Sequence, residues 1–236
     1  MILLGLAGPA GSGKDTVADY LVERYGFIKF SFSDALYREV AKAFGLESED
    51  LLRDRATKEV PTERLSLVDC LDDEFIGVAV QHVRESRHPD PEPLSPRQIL
   101  QWWGTEFRRA QDSYYWTKRA HDWMCRVREL APYPESRAQN FVNCSVRFEE
   151  ERRFITDPLE YFGWDGNIWH LHRDTAMPVA SHESETPLPV LDGEREIWNN
   201  HTLEYLRMGV DQLMSSNIPS IRVGPPEPML SPEEKS

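Results

Sequence analysis

The chain has 236 residues, of which 40% are hydrophobic and 28% charged, and its formal net charge is −13. That composition fits a globular α/β protein with one core and some excursions, and nothing in it suggests a second independent core. The acidic balance argues against a DNA or RNA polymer as partner, since such binding rests on a basic surface that neutralises phosphates, and no apolar run is long enough to span a membrane.

The first apolar run, Ile2-Leu3-Leu4-Gly5-Leu6-Ala7, has strand length and no basic segment ahead of it, so it reads as a strand and not as a signal peptide. Gly8-Pro9-Ala10-Gly11-Ser12-Gly13-Lys14-Asp15-Thr16 follows, and then Val17, Ala18, Leu21, Val22 and Tyr25 at helical spacing. Strand, glycine-rich turn and helix are the context that a phosphate-binding loop requires. Gly8, Gly11 and Gly13 let the backbone turn tightly, with Ala10 and Ser12 between them, so that successive N–H groups point into one concavity. The helix start adds its positive dipole end, and Lys14 adds a full charge for the β- and γ-phosphates.

One position departs from the general pattern. The residue after the lysine is ordinarily Ser or Thr, whose hydroxyl binds Mg²⁺; here it is Asp15, with the hydroxyl one residue later at Thr16. One step turns a side chain by about 100° around a helix, which disfavours direct hydroxyl coordination. Asp15 either holds the metal through water or serves as a favourable anion in the first helical turn. The Gly-Lys-Asp-Thr form resembles the nucleoside monophosphate kinase branch of the P-loop proteins.

Gly26 ends the first helix, and residues 27–32 form a second strand. Ser33 and Asp34 open a helix running to about Phe44, so Asp34 is either a cap or a ligand for metal or substrate. Residues 46–94 are acidic, with short helical stretches and a proline-rich end, and read as an excursion and not as sheet. Ser95-Pro96-Arg97-Gln98 then forms a capping box with proline at the first helical position. Ile99, Trp103 and Phe107 make that helix's buried stripe; Trp102 points elsewhere and is the better candidate for stacking on a base. Another helix spans about 115–130. From Arg97 to Arg128 there are seven Lys/Arg against three Asp/Glu, whereas from Ala180 onward there are four against ten. This basic strip is either a solvated helix face or a collector of a small polyanion.

Residues 140–146 read as a third strand, 149–155 as a short helix, 167–172 as a fourth strand and 196–198 as a short fifth. Residues 174–193 have no clear period and read as a loop or lid. Leu203, Leu206, Val210, Leu213 and Met214 mark a final amphipathic helix, and residues 223–236 are expected to be disordered. Alternating strands and helices indicate an α/β, doubly wound parallel sheet of about five strands, with ligands at the carboxyl ends of the strands. On this reading residues 1–222 are one domain, with the substrate-binding excursion at 46–130. Cys70, Cys125 and Cys144 have no metal spacing and suit a reducing cytosol, so a cytoplasmic location is expected. His170 and His172 share one face of a strand without a third ligand nearby, which favours packing over metal.

Several segments together resemble the deoxynucleoside monophosphate kinases of tailed bacteriophages: Gly8–Thr16, Phe30-Ser31-Phe32-Ser33-Asp34-Ala35-Leu36, and Ser95–Glu106 with Arg108 and Arg109. Val146-Arg147-Phe148-Glu149-Glu150-Glu151, Arg173 with His182-Glu183-Ser184-Glu185, and Trp198-Asn199-Asn200 complete the set. The resemblance implies transfer of the γ-phosphoryl of ATP to a dNMP with Mg²⁺, on a nucleoside monophosphate kinase fold, in the host cytoplasm where the chain is viral. A homodimer is compatible with it. Lys14, Arg147 and Arg173 are then the expected catalytic residues. Asp34, Arg97, Trp102, Arg108 and Arg147 are expected on the substrate, Asn199 beside the ATP adenine, and Asp15 and Asp34 at the metal. The family usually has Asp before Val-Arg-Phe, where this chain has Ser145. Two other readings stay open: a P-loop kinase of a non-nucleotide phosphate, and an ATP-binding regulatory module without turnover.

Overall fold

A computed structural model of the chain describes residues 1–54, 56–85, 93–132, 139–157, 164–175 and 188–215. Two compact units divide it: Met1–Phe30 with the described residues from Ala131 onward, and Ser31–Leu130.

The first unit holds a five-stranded parallel sheet. Strands β1 (Ile2–Ala7), β2 (Ile28–Phe30), β3 (Phe141–Val146), β4 (Asp165–His172) and β5 (Arg195–Trp198) lie in the order β2-β3-β1-β4-β5. Strand residues alternate between faces, so Leu4, Leu6, Val142, Trp169 and Leu171 all point one way. They pack against Val17 and Leu21 of α1 (Lys14–Tyr25) and Leu206, Val210 and Leu213 of the last described helix, Leu203–Ser215. The opposite face receives the helix Glu149–Thr156 through Ile155, which crowds Gly5 so closely that a Cβ there would overlap it. Helices on both faces make the sheet doubly wound.

Register decides where the loops emerge. Ala7 pairs with Val146 on one side and His170 on the other, so Gly8 and Arg147 leave adjacent strands side by side. From β1 the chain crosses toward β2, and from β3 it crosses back to β4. The crevice at the carboxyl ends of β1 and β3 is therefore the topological switch point, where open α/β sheets bind ligands.

The second unit is helical. It comprises α2 (Ser33–Ala43), α3 (Asp50–Arg53), α4 (Asp73–Glu85), α5 (Pro96–Gln101), a π-helical continuation over Trp102–Arg109, and α6 (Tyr115–Leu130). The expected capping box is present: Ser95 Oγ accepts from Gln98 N, and the Gln98 carboxamide accepts from Ser95 N. Two features depart from expectation. Residues 46–94 contain a full 13-residue helix, α4, which buries Phe75 and Ala79 at i, i+4 spacing. The helix opened by Ser95 turns π-helical after Gln101, although Trp103 and Phe107 are buried as the stripe required. Of the expected lid at 174–193, residues 176–187 lie outside the described residues, as does the 223–236 tail. No helix among the described residues is long and apolar enough to cross a membrane.

Candidate nucleotide-binding site

The turn after β1 is shaped by three positive backbone angles, with φ of 138° at Gly8, 78° at Gly11 and 104° at Gly13. Side chains rarely tolerate that region, and here space forbids them as well at two of the three. A Cβ on Gly8 would strike the Leu171 carbonyl and one on Gly13 the Asn199 carboxamide, whereas at Gly11 the surrounding space is open. Among the described residues the amides of Gly11 and Gly13 have no acceptor, so this is a cradle of donors beside the start of α1. Such a cradle, at a helix N-terminus, fits a polyphosphate.

Lys14 is the first residue of α1, and its Nζ donates to the carbonyls of Gly8 at 2.7 Å and Pro9 at 2.8 Å. The ammonium therefore sits folded against the loop that would hold phosphate. Arg173, at the exit of β4, approaches from the other side, with Nη1 donating to Gly11 O at 3.4 Å. Asn199, just past β5, donates from Nδ2 to Ser12 O at 2.9 Å, and its own N–H bonds His172 O at 2.8 Å. Ser12 is fully buried, and its Oγ has no partner among the described residues. Ala10 and Gly11 are exposed at the tip of the loop.

Arg147 is exposed where β3 ends. Its backbone is pinned, because the buried Glu151 carboxylate accepts from Arg147 N at 2.7 Å and Phe148 N at 3.2 Å. The turn that carries Arg147 is thus fixed while its side chain reaches outward. Ser145 N donates to the Asn143 carboxamide oxygen at 2.9 Å. In the first turn of α1 the Asp15 carboxylate is exposed and lies 3.2 Å from Lys29 Nζ; Thr16 is exposed beside it. Hard oxygen donors next to a phosphate cradle suit Mg²⁺, which keeps much of its water and takes few protein ligands. No cluster of three or more His, Cys, Asp or Glu fit to hold a metal occurs among the described residues.

In the second unit Asp34 is already engaged: Oδ2 accepts from Ser31 N at 2.7 Å, and Oδ1 pairs with Arg53 at 3.0 Å. Arg97 pairs through Nε with Glu59, and its N–H bonds Lys58 O. Trp102 stacks on His82, with centroids 5.7 Å apart. Arg108 is largely buried, with Nε 3.3 Å from Glu39 and Nη2 3.5 Å from Asp72. Within the first unit, then, Lys14, Arg173 and Asn199 converge on the Gly8–Gly13 loop and Arg147 emerges next to it. Sequence reasoning read His170 as a packing residue, but missed Glu39, Arg53, and the Arg152 and Glu194 charges that form a buried trio with that histidine. Glu39 and Glu194 draw their partners from far along the chain, so no local spacing signals them.

Comparison with known proteins agrees with this geometry. A family model described as an AAA domain matches residues 7–75, which include the whole loop. A protein of Acanthamoeba polyphaga mimivirus, named "Putative deoxynucleotide monophosphate kinase", is 34% identical over 210 residues, covering 86% of this chain and 91% of its own length. The loop, the parallel sheet that carries it and this end-to-end likeness establish that the chain belongs to the P-loop nucleoside monophosphate kinases, in the branch of the viral deoxynucleoside monophosphate kinases.

Proposed function

We propose that the protein transfers the γ-phosphoryl group of ATP to a deoxynucleoside monophosphate, giving ADP and the dNDP, in the cytoplasm of a host cell. The observation that carries this reading is the cradle: three positive-φ glycines, Gly11 and Gly13 amides without an acceptor among the described residues, and Lys14 folded against them. Phosphoryl transfer asks a protein for positioning and positive charge more than for covalent chemistry. The cradle holds the ATP phosphates, and Lys14 follows charge onto the transferred group. Arg173, already at the loop, and Arg147, beside Gly8, add guanidinium forks suited to phosphate oxygens. Asp15 would hold Mg²⁺, which would supply charge neutralisation of the polyphosphate. In the second unit Arg97 and Arg108 hold the acceptor phosphate, Trp102 presents the ring face not covered by His82 to the base, and Asp34 orients the substrate.

The test is ADP release from ATP and Mg²⁺ across a panel of all common dNMPs and NMPs. Turnover stimulated by at least one dNMP is expected. An inert panel overturns the reading.

A further inference from the structure

Glu39, in the second half of α2, carries a carboxylate that side chains from two other segments address. Its Oε1 accepts from Tyr115 Oη at 2.7 Å and lies 3.3 Å from Arg119 Nε. Its Oε2 accepts from Trp103 Nε1 at 3.2 Å and from Arg108 Nε at 3.3 Å. The side chain is only 14% exposed. A carboxylate so far out of water is costly unless its lone pairs are used, and here Oε2 has two donors while Oε1 has one donor and an ion pair with Arg119. Such saturation fixes the group in place.

The π-helix explains how two of those donors meet at one oxygen. Trp103 and Arg108 are five residues apart, which in an α-helix separates side chains by about 140° around the axis. A π-helix closes its hydrogen bonds at i, i+5, so the same two residues stack one turn apart on one face. Arg108 is held further by its guanidinium lying 4.2 Å from the Phe107 ring centroid, and by Asp72 at Nη2. A guanidinium tied at Nε and stacked on a ring has surrendered its rotamer freedom before any ligand arrives.

We infer that Glu39 is a positioning residue for the acceptor phosphate, fixing Arg108 through the π-helical turn so that its guanidinium is preorganised for a phosphate monoester. This rests on the proposed contact of Arg108 with the acceptor. Trp103 and Tyr115 serve the same end by locking the carboxylate.

The test is steady-state kinetics of the full-length protein and its Glu39→Gln variant, with KM measured separately for ATP and for the preferred dNMP, and melting temperature recorded alongside. Glutamine keeps the shape but places an N–H donor where a cation must be accepted. The expected result is an acceptor KM raised about tenfold or more, with the ATP KM within twofold of wild type. An unchanged acceptor KM overturns the inference. So does a parallel rise in both KM values with a fall in melting temperature, which is what a purely structural role gives. Should Glu39→Gln fail to fold, Tyr115→Phe removes the shortest bond to the carboxylate; a rise of threefold or more in the acceptor KM alone is expected, and no rise overturns the inference. Wild-type protein inert toward every dNMP overturns the proposed function and this inference with it. Wild-type turnover with no selective effect in the variant overturns this inference alone.

Discussion

Asn199 and Ser12, 187 residues apart in sequence, are joined by a hydrogen bond from the Asn199 carboxamide to the Ser12 carbonyl at 2.9 Å. The same amide occupies the space a Cβ on Gly13 would need. The turn after β1 is thereby braced from the end of β5. Asn199, expected beside the adenine, also bonds the loop backbone. Asn199→Ala should raise the KM for ATP about tenfold while changing the KM for the acceptor less than twofold. The order is that of one lost buried hydrogen bond, about 1–1.5 kcal/mol. Kinetics with each substrate varied in turn checks it.

Lys14 makes a sharper case. Its Nζ is held by two backbone carbonyls of the loop, which keep the ammonium beside the cradle. A charge that follows the moving phosphoryl group stabilises the transition state more than the ground state. Lys14→Ala should therefore lower kcat by about a thousandfold or more. A variant within threefold of wild type in single-turnover assays refutes the role.

The sheet and most helix starts were legible because they depend on local patterning: an apolar run before Gly8, a capping box at Ser95, and Leu206, Val210 and Leu213 on one face of the last helix. The phosphate-binding loop was legible for the same reason, since its glycines and lysine are contiguous. What escaped was whatever depends on partners distant in sequence. Glu39 gathers hydrogen-bond and ion-pair partners 64 to 80 residues away. The π-helix has no spacing signature of its own, as Ile99, Trp103 and Phe107 read equally well as an α-helical stripe. Helix α4 was hidden by the acidic, proline-rich stretch around it, although Phe75 and Ala79 carry the right period. Arg152 and Glu194, 42 residues apart, are buried against each other by packing that no local pattern carries.

The two units give Arg147 and Arg97 different expected signatures. Arg147 stands beside Gly8 on a turn pinned by Glu151, and under the proposed function its charge is expected to bear on the transferred group. Arg97 sits in the first turn of α5, paired with Glu59. Arg97→Ala should raise the acceptor KM more than the ATP KM and leave kcat within a few-fold of wild type. Arg147→Ala should depress kcat by a hundredfold or more. Equal rises in both KM values for Arg97→Ala would remove that residue from the acceptor site.

The buried trio makes a pH dependence. His170 on β4 is almost wholly buried, with Nε2 2.7 Å from Glu194 Oε2. Arg152 lies 3.0 Å from the other oxygen of that carboxylate and also reaches Glu149, while His172, itself paired with Glu196, lies beyond along the strand. Burial holds the imidazole below its ordinary pKa, with Arg152 and His172 adding to that effect and Glu194 opposing it. The sign follows from linkage. As pH falls through about 6.5 the unfolded chain takes up a proton at this position before the folded one does, so stability falls with pH there. It is fully present above about 6.5 and is lost as pH drops toward the depressed folded value. Denaturant unfolding at pH 7.5 and pH 5.5 should show a larger loss in wild type than in His170→Gln, which keeps a donor for Glu194 but cannot titrate. The difference between the two losses reports the contribution of His170 in its buried setting. Identical losses would mean that the proton is accommodated inside the folded core, with Glu194 compensating fully for the burial.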